Sequence, residues 1–237
     1  MKDASKINVL IACEESQRVC TAFRELGFNA YSNDVQKCSG GHPEWHILDS
    51  ALSVVNGGGM PLQSGEWIDI PHWDCIIAHP PCTALSNANT SGHSLKATPE
   101  NRIQGFTFER IRGMEFFMYM VCANSEHIAV ENPVGIMNTA YRKPDQIIDP
   151  YMFASSKEDK ANYVKKRTCL WLKNLPLLKT NDLSAPNNLL KYGKKEGSEK
   201  TRSWTESLVR DPKERSKTFP GIAKAMAEQW GGYLLNS

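Results

Sequence analysis

The chain has 237 residues, of which 41% are hydrophobic and 23% charged, and a formal net charge of +2. That is enough chain for one α/β domain with a full core, in the composition range of soluble globular proteins. No run of about 18 apolar residues exists to span a membrane, and Met1 to Lys6 lacks the apolar region of a signal peptide.

Seven cysteines stand at Cys13, Cys20, Cys38, Cys75, Cys82, Cys122 and Cys169, with no CxxC pair. They read as reduced, mostly core thiols of a cytoplasmic protein, and their scatter argues against structural zinc. The charge is segregated. Between Lys157 and Lys217 there are 16 Lys and Arg against 8 Asp and Glu, on an otherwise mildly acidic chain. A basic segment of this kind suits a polyanion partner.

In chain order, Ile7 to Ala12 is a short apolar run suited to a buried parallel strand. Ser16 to Leu26 follows with Val19, Phe23 and Leu26 at helical spacing, and Gly27 caps it. A second strand covers Phe28 to Ser32 and ends at Asn33-Asp34. A third, Trp45 to Asp49, is followed by glycine-rich stretches around Gly57 and Gly65 that read as loops. The fourth strand is Asp74 to Ala78. The polar stretch Leu85 to Gly105 has no apolar period and reads as a mobile loop. Phe106 to Asn124 is an apolar helix, and His127 to Val130 is strand five. Gln146 to Phe153 and Thr168 to Leu172 are further strands. Ala185 to Lys217 is polar and basic, and Pro220 to Leu235 is a closing helix with Ile222, Ala225, Met226, Gln229 and Trp230 near one face.

Strands alternating with helices predict an α/β fold with a mostly parallel, doubly wound sheet. Ligands in such sheets sit beyond the carboxyl ends of the strands. Asp34, Asp49, Cys82 and Glu131 all fall at such ends. In His79-Pro80-Pro81-Cys82 the prolines fix the backbone and force it out of the sheet, so the thiol is presented in a defined direction. A nearby positive group would activate it. Glu131, in Val130-Glu131-Asn132-Pro133, sits at a buried strand end, where a carboxyl holds its proton more tightly and can donate it near neutrality. A thiol attacking C6 of a pyrimidine needs this partner, because protonation at N3 stabilises the charge developing in the ring.

Here the chain resembles the DNA (cytosine-5-)methyltransferase family, as a small phage or prophage-type member. Ala78-His79-Pro80-Pro81-Cys82 is similar to the family's Pro-Cys nucleophile motif, and Glu131-Asn132-Pro133 to its Glu-Asn-Val motif. Lys165 to Leu172 resembles the Arg-rich motif that leads into a late strand, and Pro220 to Trp230 the helix that completes the cofactor pocket. The resemblance covers most of residues 7–176 and 218–235. It implies a Rossmann-like S-adenosylmethionine-dependent methyltransferase fold, one domain over residues 1–237, and S-adenosylmethionine as cofactor without a metal. The implied catalytic set is Cys82, Glu131, Asn132, and Lys166 or Arg167 at the base O2. The implied cofactor set is Ile11, Ala12, Cys13, Glu14, Glu15, Asp34, Val35, Asp49, His79 and Pro80. Within it Asp34 faces the ribose, Asp49 the adenine, and Glu14 or Glu15 the ammonium group; either glutamate equally suits the start of the helix through its dipole.

Three departures matter. The family's first motif is glycine-rich, whereas this turn reads Ala12-Cys13-Glu14-Glu15-Ser16, and Ile11 or a neighbour stands where an aromatic stacks on adenine. The target-recognition domain shrinks to a basic insertion over residues 177–218, with Tyr192, Arg202 and Trp204 as candidate base and phosphate contacts. His79-Pro80-Pro81-Cys82 lies halfway to the Asn/Asp/Ser-Pro-Pro-aromatic turn of enzymes that methylate exocyclic amines. The expected activity is therefore C5 methylation of cytosine, in DNA or a cytosine nucleotide, with specificity either intrinsic or borrowed from a partner. N4-cytosine or N6-adenine methylation and a non-catalytic nucleic-acid-binding homologue are the alternatives.

Overall fold

The computed structural model describes residues 2–87, 108–187, 190–192, 200–202 and 211–237. Its strands are β1 (Asn8–Ala12), β2 (Asn29–Asp34), β3 (His46–Leu48), β4 (Gly58–Pro61), β5 (Trp67–Ile70), β6 (Cys75–Ala78), β7 (His127–Pro133), β8 (Gln146–Ile148), β9 (Thr168–Lys173), β10 (Leu190–Tyr192) and β11 (Lys200–Arg202). Seven of them form one sheet in the order β3-β2-β1-β6-β7-β9-β8. All neighbours are parallel except β9, which runs antiparallel to both β7 and β8. This is the α/β, mostly parallel, Rossmann-like sheet expected from the sequence, with one reversed strand near an edge.

The sheet has a core on each face because β1, β6 and β7 are buried on both sides, as their near-continuous apolar sequences require. Val9, Ile11, Cys75, Ile77 and Ala129 pack towards α1 (Arg18–Glu25) and the carboxyl-terminal helix. Leu10, Ala12, Ile76, Ala78 and Val130 pack on the other face, with α2 (Ala51–Val54) and α3 (Phe108–Val121). Trp73, Trp171 and Trp230 are all fully buried. Each indole N–H donates to a carbonyl, of Val54, Arg142 and Pro176 respectively, at 2.8–2.9 Å. Their large apolar bodies are therefore buried without an unsatisfied donor.

Several boundaries differ from the sequence reading. The glycine-rich segment after α2 forms a hairpin of β4 and β5 where loops were expected. Gly59 leaves the space that the Trp67 indole fills, since a Cβ there would stand 2.8 Å from the indole nitrogen. The strand expected to end at Val130 continues through Pro133, because β9 pairs with it one residue at a time: Glu131 with Leu170, Asn132 with Cys169, Pro133 with Thr168. The strand expected over Gln146 to Phe153 stops at Ile148, and Pro150 begins a 3-10 turn. Leu26, expected on the buried face of α1, is exposed. After α4 (Met137–Ala140) and α5 (Pro212–Ser216), the closing helix begins as α6 (Pro220–Ala225), widens into a π turn over Met226–Trp230 and ends at Gly231–Leu234. Gln229 points outward and exchanges hydrogen bonds with the Lys179 backbone. No described helix is long and apolar enough to cross a membrane, and no group of three metal-ligating side chains occurs among the described residues.

Candidate active site

The site is built at the carboxyl ends of β1, β6 and β7. In register, Ala12, Ala78 and Val130 form the last fully buried row of the three strands. One residue further, His79 N–H donates to the Ala12 carbonyl at 2.9 Å, which extends the ladder by a step. His79 and Glu131 thus stand side by side just beyond the core. By strand alternation they lie on the α1 face.

The Glu131 carboxylate is held from two sides. His79 Nδ1 donates to Oε2 at 3.2 Å, and the Thr168 hydroxyl donates to Oε1. Thr168 reaches it because β9 is reversed, so that the amino end of β9 meets the carboxyl end of β7. His79 Nε2 is buried and has no hydrogen-bond partner among the described residues. Burial alone would lower the proton affinity of this imidazole. The Glu131 hydrogen bond and charge, joined by the charge of Glu14, outweigh it and hold its pKa above the ordinary 6.5.

Asn132, buried on the same strand, fixes the nucleophile turn. Its side-chain amide donates to the Pro80 carbonyl at 2.8 Å. The turn is held again beyond Cys82, whose carbonyl accepts from Leu85 and Ser86 at 3.0 and 2.8 Å. Residues 85–87 then lie along 134–136: Ile136 N–H donates to Leu85, and Asn87 N–H to Val134. Gly135 permits this approach, because a Cβ there would stand 2.0 Å from the Leu85 carbonyl oxygen.

Cys82 is exposed at the end of this braced turn. Partial desolvation by its surroundings and the charge of Glu131 push its pKa up, while Lys166 and Arg215 pull it down. The expected positive group is thus present but does not dominate. Lys166 donates to the Arg215 carbonyl at 2.6 Å and lies 5.6 Å from the Phe219 ring centre. Burial lowers its pKa, opposed by the charges of Glu131 and Cys82. Arg167, the alternative at this position, is largely exposed, with Nε 3.7 Å from the buried Asp149 carboxylate.

The predicted cofactor residues divide. Ile11 and Ala12 are fully buried, Ile11 on the α1 face and Ala12 on the other, so neither side chain reaches a ligand. Glu14 serves the helix: its two oxygens accept from Val19 and Cys20 N–H at 2.7 and 3.1 Å, capping α1. Burial raises its pKa to about 7, against His79 and these two bonds, which lower it. Glu15 is also buried, and neither oxygen has a hydrogen-bond partner among the described residues. Lys213 Nζ stands 3.4 Å away. Asp34 ends β2, and Val35 beside it is 71% exposed. Asp49 accepts from its neighbour Ser50 N–H at 2.6 Å.

The missing glycine is resolved by the backbone. Cys13 and Gln17 adopt the left-handed region, at φ 61° and 58°, a conformation that costs a non-glycine residue about 1 kcal/mol. Gln17 is held there by hydrogen bonds to Ser32 and to both backbone groups of His42.

Sequence reasoning missed Thr168, Asn33 and Arg18. Asn33 donates to the carbonyls of Ile47 and Asp49, leaving its own buried oxygen without a partner among the described residues. Arg18 donates to the Thr218 carbonyl at 2.7 Å, tying α1 to the segment before the closing helix. Thr168 and Asn33 are strand residues whose roles follow from strand order, which no local motif encodes. Of the insertion's candidate contacts, Tyr192 and Arg202 lie on the β10–β11 hairpin, whose backbone is described; Trp204, residues 88–105 of the expected loop and the first two residues of the expected helix lie outside the described residues. A cavity of about 280 Å³ opens at the opposite end of the sheet, among His72, Asp74, His127 and Leu234, away from this site.

No family model and no curated protein matches the chain. Among solved structures it is similar to an E. coli prophage-encoded protein provisionally described as a DNA modification methyltransferase, at 12% identity and a TM-score of 0.43, covering 76% of this chain. The chain spans about half, 52%, of that protein's length.

Proposed function

We propose that this protein methylates C5 of cytosine through a covalent bond between Cys82 and C6, with S-adenosylmethionine as methyl donor. The observation that carries the reading is that Cys82, on a turn braced by Asn132, feels the charge of a Glu131 whose oxygens are oriented by His79 and Thr168. A thiol and an oriented carboxyl at one sheet edge suit addition to a pyrimidine ring whose N3 takes a proton.

The residues at this edge fit the cofactor. Glu15, Asn33 and His79 present buried polar atoms without hydrogen-bond partners among the described residues, at or just beyond the carboxyl ends of β1, β2 and β6, with the Lys213 ammonium 3.4 Å from Glu15. The Glu15 and Asn33 oxygens favour a ligand that brings donors to them, and the His79 Nε2–H one that brings an acceptor. The Glu15 carboxylate suits an ammonium group, Asp34 ribose hydroxyls, and exposed Val35 the face of an adenine. When bound, S-adenosylmethionine supplies an electrophilic methyl group. Cys82 forms the bond to C6, Glu131 holds the proton at N3, and Lys166 offsets negative charge at Cys82 and at the base O2.

The basic stretch that includes β10 and β11 suits the phosphates of DNA, and its brevity leaves a cytosine nucleotide as the other substrate form. Tritiated methyl transfer to unmethylated DNA and to dCMP, run side by side with nucleoside analysis, tests the reading. C5-methylcytosine from wild type and none from Cys82→Ser is the expected result. N4-methylcytosine as product, or full activity in Cys82→Ser, overturns it.

A further inference from the structure

Among the charged groups of the site, His79 is the one for which the proposed chemistry has no assigned role beyond contact with the cofactor. It occupies the first position past the core on β6, and its ring is wedged among charged groups from three directions. Glu131 faces it from β7, Glu14 from the turn before α1, and Lys166 from the segment ahead of β9. Among the described residues only Glu131 is hydrogen-bonded to the ring, through Nδ1 at 3.2 Å. Main-chain pairing with Ala12 fixes the residue's backbone, and its side chain is 11% exposed. The imidazole is therefore a rigid donor aimed at one carboxylate oxygen and shielded from solvent.

Glu131 has a difficulty that this geometry answers. Both of its oxygens already accept, from His79 and from Thr168. A proton passed from this carboxyl to N3 has to be replaced by a donor that faces the same oxygens, and the Thr168 hydroxyl is far too weak an acid to supply it. We propose that His79 is the positioning residue and proton reservoir for Glu131, replacing through Nδ1 the proton that Glu131 passes to N3 of the cytosine ring. This inference rests on the C5 reading above.

The step balances. The exposed Cys82 thiol releases its proton to solvent and its sulfur contributes the electron pair of the new S–C6 bond, and the displaced ring π electrons charge the ring towards N3. N3 takes a proton from the carboxyl, the carboxyl takes the Nδ1 proton, and the imidazolium becomes neutral imidazole. After methyl transfer the C5 proton passes to water, and expulsion of Cys82 as thiolate sends the N3 proton back along the same two atoms. The site is thereby reset without exchanging that proton with solvent. Thr168 serves as a fixed second donor that keeps the carboxyl plane facing the ring.

The test separates a proton role from a structural one. His79→Gln retains an N–H able to reach Glu131 but cannot release its proton. Methyl transfer to plasmid DNA and to dCMP is measured across pH 6 to 9 for both proteins. Wild-type rate should rise and then level off as the imidazolium deprotonates, because each gain in Cys82 thiolate is then offset by a loss of imidazolium. In His79→Gln the rate should fall by about 10²-fold, the lower end for general acid–base catalysis. The levelling should vanish, leaving a rate that climbs with pH, and KM should stay within about threefold, where general acid–base loss shows mainly in kcat. An unchanged rate and pH profile in His79→Gln, with wild type still making C5-methylcytosine, overturns the relay and leaves the C5 reading intact. Failure of wild type to make C5-methylcytosine overturns both. Imidazole NMR of the wild-type chain is independent of how the variant folds. The ring should titrate above its ordinary value and return towards it in Glu131→Gln; titration below that value overturns the relay.

Discussion

Glu14 caps α1 with both carboxylate oxygens, which makes Glu14→Gln a sharp test of how this buried group contributes to stability. Burial holds its pKa at about 7, against 4.5 for an unperturbed glutamate. The folded protein therefore keeps the proton to higher pH than the unfolded chain does. The stabilisation linked to that proton is complete below about pH 4.5 and is lost as pH climbs to about 7. At about 1.4 kcal/mol per pH unit the full loss is about 3 kcal/mol. Glutamine does not titrate, and its single oxygen keeps one of the two backbone hydrogen bonds, the loss of the other costing about 1 kcal/mol. Urea unfolding at intervals from pH 5 to 8 should show wild type weakening as the pH rises, and Glu14→Gln holding a flatter profile at an unchanged m-value. The two should agree within about 1 kcal/mol at pH 5, and the variant should be the more stable by about 2 kcal/mol at pH 8. A variant less stable than wild type by about 1 kcal/mol or more at pH 8 refutes the reasoning, because the charged cap would then outweigh its desolvation. His79 contributes a slope of the same sign, its pKa being raised as well, so the difference between the two proteins is the informative quantity.

Further outcomes concern the braces of the site. Gly135→Ala places a Cβ against the Leu85 carbonyl; breaking the two hydrogen bonds between 85–87 and 134–136 should cost about 2–3 kcal/mol by chemical denaturation. Asn132→Ala leaves the Pro80 carbonyl without its 2.8 Å donor; about 1–3 kcal/mol of stability should be lost, and methyl transfer should fall more than KM rises. Glu15→Gln removes the charge proposed to meet the cofactor's ammonium group. Calorimetry should show S-adenosylmethionine binding about tenfold or more weakly, in line with loss of a charge-assisted hydrogen bond, and unchanged affinity would remove Glu15 from the site.

The strands that build the site were legible because β1, β6 and β7 are buried on both faces and read as unbroken apolar runs. Cys82 and Glu131 were legible because prolines mark the points where the chain leaves such strands. The β4–β5 hairpin was hidden, since a strand signal lies in side chains and Gly58 and Gly59 have none. The role of Thr168 was hidden for a different reason. It depends on β9 running backwards between β7 and β8, and strand direction is set by the whole topology. Glu14 and Glu15 are adjacent and chemically identical, so sequence left both roles open to either; the backbone N–H groups of Val19 and Cys20 select Glu14 for the helix. The glycine-free turn read as a defect, yet Cys13 and Gln17 make the bend that glycines make elsewhere.

The reversed β9 has one more consequence, for how the chain beyond it is rooted. β9 ends at the far end of the sheet, where Asn174 bonds the Glu126 carbonyl. The chain then returns along the sheet: Leu178 meets Gln146 at the start of β8, Asn181 meets Tyr151 and Ala154 past its end, and Ser184 accepts from Tyr163. Beyond the β10–β11 hairpin, Lys213 lies against Glu15, and the Arg215 and Thr218 carbonyls accept from Lys166 and Arg18. Both ends of the intervening stretch are thus moored to the scaffold independently of each other. A change in the length between the two moorings therefore need not disturb the pairing of β7, β9 and β8 that holds Glu131 and Thr168 together.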